Sequence, residues 1–361
     1  MNESTMKILF ADDDRDDLEL LQEVLLKVAP PHTLHYVDPQ SFLLLHLIEN
    51  GENVRAIYRT QQNIQKAKSV FELYSKTDLF EKINWIEADI LDVPSLEIAF
   101  IDIDYVYHCA ALISFDPKDE EALRKTNIEG TANMVNFSLA KGIKKFCFVS
   151  SIAALGDLAP HETYITEETD WNPEKPHSDY AISKYGAEME VWRAVQEGLD
   201  IIIINPGVIL GPIATTKIFH EGSNELYRKV ANGLPFYTLG NTGFITINDV
   251  VKIAFELMKS DIKNERITLI ADNIVFRDIL NTIADTLKVK KPTIHAGPLF
   301  MNFLWIADGL FSTLFLQKRR LTKATAKASY SKNLYANEKI KTALGTIFLD
   351  VHHYIKDSSI L

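Results

Sequence analysis

Tyr180 and Lys184 stand four residues apart, the spacing that places two side chains on one face of a helix. A phenol titrates near pH 10, too high to exchange protons readily at neutral pH, but an ammonium close by favours the phenolate. Ser151 offers a hydroxyl that can hold a substrate oxygen against the phenol while the proton moves. These three residue types therefore suit proton transfer at a substrate oxygen.

The elements that must position them can be read from the surrounding text. KKFCFVSSIAALG, residues 144–156, is an apolar run that predicts a buried strand followed by a turn at Ser150-Ser151. A polar loop with Pro160, Pro173 and Pro176 comes next, and YAISKYGAEMEVWRAVQEG then predicts a helix that carries Tyr180 and Lys184 and stops at Gly198. A second Tyr-x-x-x-Lys occurs at Tyr335 and Lys339. No strand ending in serines precedes that copy, so it is expected to be a solvated helix face.

With 361 residues, 47% of them hydrophobic and 24% charged, the chain has the composition of a globular protein rather than a disordered one. A net charge of -11 argues against nucleic-acid partners and points to a small-molecule substrate. Cys109 and Cys147 lie in apolar runs and the start lacks an apolar signal core, which predicts buried thiols in a reducing cytoplasm. Neither cysteine has a partner at metal-ligand spacing, so no metal site is expected.

The region from Phe42 onward resembles the extended short-chain dehydrogenases/reductases, the NAD-dependent epimerase/dehydratase family that includes dihydroflavonol reductases and 3β-hydroxysteroid dehydrogenases. The resemblance implies an α/β protein with a Rossmann-like, doubly wound, mostly parallel sheet over residues 41–211, to which 243–270 returns. Residues 212–242 and 271–361 would form a smaller substrate-binding lobe. It also implies hydride transfer between a nicotinamide cofactor and a carbinol or carbonyl carbon, with Ser151, Tyr180 and Lys184 as the catalytic residues, Tyr180 and Lys184 also touching the cofactor, and Asn127 steadying the proton-relay region.

Further family motifs supply the expected cofactor contacts. The second strand, within ENVRAIYR, ends without the carboxylate that NAD users place on the ribose and instead offers Arg55 and Arg59, so NADP is favoured over NAD. Asp89-Ile90 resembles the pair that sits against adenine, Cys109-Ala110-Ala111 the small-residue turn at the end of the fourth strand, and Pro206-Gly207 the segment that flanks the nicotinamide. Asn127-Ile-Glu-Gly130-Thr131 matches the Asn-x-x-Gly-Thr of the following helix. Asp249 is expected to cap a helix. A homodimer is compatible with this reading.

The front end departs from the family. A glycine-rich turn should follow the first strand and cradle the pyrophosphate at a helix N-terminus, yet the first glycine in the chain is Gly51. Residues 1–40 instead resemble the start of a response-regulator receiver domain: an apolar run at 6–11, the acidic Asp12 to Asp14 where a receiver binds magnesium, a helical pattern at 18–28 and a second apolar run, Thr33–Val37. The phosphoacceptor Asp and the Lys that a receiver needs are not recognisable. Either Lys7–Ala11 or Thr33–Val37 is expected to fill the first-strand slot, pairing parallel with Val54–Tyr58. A non-catalytic scaffold and a receiver-coupled regulator are the competing functions.

Near the C-terminus, PLFMNFLWIADGLFSTLFL spans residues 298–316. Asn302 and Asp308 inside it argue against a membrane span. The spacing of Phe303, Ala307, Leu310, Phe311 and Leu314 predicts an amphipathic helix with that side over the substrate pocket, interfacial membrane contact at 298–320 being the alternative.

Overall fold

The structure is a computed structural model that describes residues 7–11, 39–212, 224–314 and 322–357. Its centre is a seven-stranded sheet made of β1 (Lys7–Ala11), β2 (Asn53–Tyr58), β3 (Asn84–Glu87), β4 (Tyr105–His108), β5 (Lys145–Val149), β6 (Ile201–Pro206) and β7 (Glu265–Leu269). The spatial order is β7-β6-β5-β4-β1-β2-β3. Every neighbouring pair is parallel. The order reverses between β1 and β4, which is where an open α/β sheet of this winding offers its ligand crevice.

A parallel sheet must be covered on both faces, so its strands are apolar throughout rather than alternating. Ile8 and Phe10 of β1 pack into one layer with Leu43, Leu44 and Leu47 of α1 (Pro39–Glu49), Ala67 and Phe71 of α2 (Gln61–Leu73) and the helix Ile247–Lys259. Leu9 and Ala11 face the other layer, which holds Leu96 and Ala99 of α3 (Val93–Ala99), Met134 and Val135 of α4 (Gly130–Lys141), and Ala187 and Val191 of α5 (Asp179–Gln196).

Lys7–Ala11 thus fills the first-strand slot, in register with β2 from Lys7↔Asn53 to Ala11↔Ile57 and with β4 from Ile8↔Tyr105 to Ala11↔His108. It is a central strand of this sheet and not part of a separate unit. Thr33–Val37, Asp12 to Asp14, Asp38 and the helical pattern at 18–28 lie outside the described residues.

A smaller sheet joins Val208–Leu210, Asn241–Thr246 and Asp272–Val275. It packs with the helices Phe276–Thr286 and Val351–Asp357 around Phe244, Ile279, Ile283 and Ile355. From there Ile247–Lys259 and β7 return to the large sheet. The cap of Ile247–Lys259 is Thr246, whose hydroxyl accepts from the Asp249 amide at 3.1 Å. Asp249, expected to be the cap, instead takes the Thr246 hydroxyl at 2.9 Å and the Leu349 amide at 3.1 Å, pinning the C-terminal segment.

The helix Pro298–Leu314 also corrects an expectation. Its inward side is Met301, Leu304 and Trp305, packed on Ala326, whereas Phe303 is 66% exposed. Phe303 thus does not face inward as expected, while the side chains of Leu310, Phe311 and Leu314 lie outside the described residues. Among the described residues no helix is long and apolar enough to cross a membrane.

Candidate active site

Strand β5 carries its apolar text to Val149, and the chain then turns through Ser150 and Ser151. Ser151 caps a 3₁₀ turn, its hydroxyl accepting from the Ala153 amide at 3.1 Å. Ser178 caps α5 by accepting from Ala181 at 3.1 Å, which places Tyr180 and Lys184 on successive turns facing the end of β5. The Ser151 side chain stands close enough to the Tyr180 phenol to favour its ionised form. Lys184 is 2% exposed and donates to the Val149 carbonyl at 2.8 Å, its ammonium 4.4 Å from the centre of the Phe148 ring. The three residues singled out by spacing therefore converge.

Enclosure raises the Tyr180 phenol and the neighbouring Ser151 lowers it. Burial brings the Lys184 ammonium down from 10.5 to about 8, against the opposing pull of Glu188 and Cys109. That lysine is held ready to lose its charge only slightly above neutral pH.

Asn127 sits in a π-helical turn, Arg124–Glu129, a widening of the helix that recurs at functional sites. Its side chain is buried and makes three hydrogen bonds: it accepts from the Leu112 amide at 2.7 Å and donates to the Leu112 carbonyl at 3.0 Å and to the Ser183 hydroxyl at 2.8 Å. Ser183 in turn donates to the Tyr180 carbonyl at 2.8 Å. Asn127 thereby ties the loop after β4 to the first turn of α5.

Three residues that spacing did not suggest join this group. Glu188, one turn beyond Lys184 and fully buried, takes bonds from Ser150, from Asn205 and, at 3.2 Å, from Arg266. The same Asn205 amide donates to the Ser151 carbonyl at 2.8 Å, fixing the backbone of that turn. His108 Nε2 lies 2.9 Å from the Thr131 hydroxyl, which itself donates to the Asn127 carbonyl at 2.6 Å. Thr131 has one hydrogen to give, so His108 must carry its proton on Nε2. Burial, and then the Lys184 charge, bring His108 down to about 3 and keep it neutral. The i+4 spacing of Glu188 from Lys184 was the only signal in the text for any of the three.

The remaining expected contacts divide. Arg59 stands just past the end of β2, half-buried. Arg55 does not share its surroundings: its guanidinium donates to the carbonyls of Ala99 at 3.0 Å and Ile101 at 2.6 Å, closing the C-terminal end of α3. Arg55 is engaged with those carbonyls. Asp89 accepts from the Leu91 amide at 2.8 Å within its own turn, and Ile90 packs so tightly on Gly130 that a Cβ there would meet its Cδ1 at 2.4 Å.

Cys109 and Ala110 are buried at the end of β4, Ala111 half-buried, and the Cys109 amide donates to Ala11 at 3.1 Å. Pro206 ends β6. Gly207 follows with its amide on Leu269 O, and a Cβ on it would stand 2.3 Å from the Gly243 carbonyl, so contact between the two sheets requires glycine there. The second Tyr-x-x-x-Lys is no solvated helix face. Tyr335 is a buried strand residue packed with Leu155, Ile165 and Ile270, while Lys339 lies on a separate helix and pairs with Glu265 at 2.6 Å. Among the described residues no cluster of histidine, cysteine and carboxylates could hold a metal ion.

Residues 41–271 match the NAD dependent epimerase/dehydratase family. The chain is 28% identical over 280 residues to a putative dihydroflavonol 4-reductase of Synechocystis, spanning 75% of this chain and 76% of that one. It is 30% identical over 321 residues to the dihydroflavonol 4-reductase of Arabidopsis thaliana, spanning 86% of this chain and 81% of that one. Its fold is similar to that of yeast methylglyoxal/isovaleraldehyde reductase Gre2, crystallised with NADPH, at a TM-score of 0.68 and 18% identity, with 98% of this chain and 97% of that one covered. By a match that takes in well over half its length, the chain belongs to the NAD dependent epimerase/dehydratase family.

Proposed function

We propose that the protein is an NADP(H)-linked oxidoreductase acting at a carbinol or carbonyl carbon. The observation that carries this reading is the convergence of Ser151, Tyr180 and Lys184, with a buried ammonium one helical turn from a phenol whose ionised form the neighbouring Ser151 favours. Tyr180 gives or takes the proton at the substrate oxygen, and Ser151 holds that oxygen in line with the phenol. The Lys184 charge lowers the cost of the phenolate. Asn127, through Ser183 and Leu112, keeps the first turn of α5 against the loop that ends β4. A nicotinamide cofactor, when bound, supplies the hydride donor or acceptor that these side chains lack.

The residues fit such a cofactor at its nicotinamide end, where Lys184 and Tyr180 would hold the ribose, and at the adenosine end, where Arg59 would meet a 2′-phosphate. They fit less well between. No glycine occurs in residues 1–50, and the Gln40 side chain at the start of α1 reaches the Cys109 carbonyl at 3.4 Å, across the crevice between β1 and β4. That bond is long and opens at little cost, but nothing in the text of residues 12–38 replaces three glycines. This favours, as the second reading, a protein that keeps the family fold as a binding scaffold with weakened cofactor affinity.

Titration with NADPH followed by fluorescence separates the two. Binding, followed by a loss on the order of 10² to 10⁴ in turnover on Tyr180→Phe with Tyr335→Phe unaffected, is the outcome expected of the enzyme. Equal effects of the two substitutions would remove the catalytic assignment.

A further inference from the structure

The helix Pro298–Leu314 turns large apolar side chains to solvent. Leu299 is 88%, Phe303 66% and Ile306 50% exposed, and their spacing of four and three residues puts them in one stripe. Ile294, 49% exposed, lies just ahead of the helix. Single exposed apolar residues need no explanation, whereas a contiguous stripe marks a surface that meets something apolar.

The charges around it are as uneven. From Thr286 to Asn337 the sequence holds nine Lys and Arg and one carboxylate, Asp308, in a chain whose total is -11, and of those cations Lys291 is paired with Asp285 just outside the span. Lys318 to Arg320 lie outside the described residues and enter only through this count. Lys288, Lys290, Lys323, Lys327 and Lys332 are exposed. Lys323 and Lys327 stand on the helix Lys323–Tyr330, whose Ala326 and Tyr330 pack against Met301, Leu304 and Trp305 of the apolar helix.

An apolar stripe on a lobe whose adjoining helix carries exposed lysines is the pattern of an element that lies in a membrane interface, its apolar side in the acyl boundary and its cations at anionic headgroups. A second copy of the chain would instead bring two surfaces of the same positive sign together, which like-charge repulsion disfavours. Over the described residues this helix is not long and apolar enough to cross a bilayer. We propose that this face of the C-terminal lobe docks on an anionic lipid surface, with Leu299, Phe303 and Ile306 inserted and Lys323 and Lys327 at the headgroups. This inference does not depend on the catalytic reading.

The test is co-sedimentation of the full chain with phosphatidylcholine vesicles, with and without phosphatidylserine. Partitioning is expected to be about tenfold or more stronger on the phosphatidylserine vesicles and to fall as salt is raised. Phe303→Asp, an exposed change whose folding is checked by circular dichroism, should lower it at least about tenfold. Lys323→Glu with Lys327→Glu should remove the preference for phosphatidylserine. Partitioning indifferent to phosphatidylserine, or unchanged by Phe303→Asp, would overturn the proposal. So would a concentration-dependent dimer that Phe303→Asp dissociates while vesicles capture nothing, since the face would then belong to a second copy.

Discussion

Replacing Lys184 with methionine should make the folded protein more stable at neutral pH while removing its activity. The ammonium is buried at 2% exposure and its pKa falls from 10.5 to about 8. At 1.36 kcal/mol per pH unit, keeping the charge there below pH 8 costs about 3 kcal/mol relative to an unshifted lysine. Against this, methionine forfeits the bond to the Val149 carbonyl, worth about 1 kcal/mol, and the contact with the Phe148 ring, worth up to about 1 kcal/mol. The variant should therefore gain roughly 1 to 2 kcal/mol near pH 7. Because the folded-state value lies below the unfolded one, the unfolded chain holds more protons between about pH 8 and pH 10.5. Wild-type stability rises with pH across that window, and the advantage of methionine disappears by its upper end. Urea unfolding of both proteins near pH 7 and near pH 10.5, followed by tryptophan fluorescence, measures the difference directly. A Lys184→Met protein that is less stable than wild type by the same amount at both pH values would refute the reasoning, because the lysine would then be a structural partner rather than a strained functional group.

Arg59→Ala should narrow the preference for NADP⁺ over NAD⁺ in calorimetry, whereas Arg55→Ala should leave it unchanged and cost about 1 to 3 kcal/mol of stability by orphaning the Ala99 and Ile101 carbonyls. Asn127→Ala strands the buried amide and carbonyl of Leu112 and should cost about 2 to 4 kcal/mol in urea unfolding. Exchanging residues 12–38 for a short glycine-rich turn, with β1 and α1 kept, should tighten NADP⁺ binding by about tenfold or more, since it supplies amides at the head of α1. No gain in calorimetry would show that the native connection already cradles phosphate.

Local text carried much of the site. The strand that ends at Ser151 and the helix that carries Tyr180 and Lys184 were legible because an apolar run closed by serines and an i, i+4 pair are short-range patterns. What failed to appear depended on partners far along the chain. Glu188 is ordinary in sequence and becomes informative only when Asn205 and Arg266 arrive from other strands. Arg55 and Arg59 look alike as text, and only the carbonyls at the end of α3 show where Arg55 is engaged. The outward side of Pro298–Leu314 was unreadable because apolar residues cover both sides. Of the two candidates for the first-strand slot, Lys7–Ala11 is the more apolar and Thr33–Val37 leads directly into the following helix, and the choice of Lys7–Ala11 rests on ladders to β2 and β4 that no local pattern encodes.

The position of β1 has a consequence for how this protein can be divided. Five residues at the start of the chain complete the middle of the sheet, held by parallel ladders on both sides, and 27 residues, 12–38, separate them from α1. The entropy of closing so long a connection exceeds that of a six-residue turn by only about 1.3 kcal/mol, so the long link tethers the strand beside its slot almost as well as a short turn would. Cut within 12–38, the strand loses that intramolecular advantage, so a separate peptide carrying Lys7–Ala11 is expected to complete the sheet of the larger piece only at concentrations high enough to replace it.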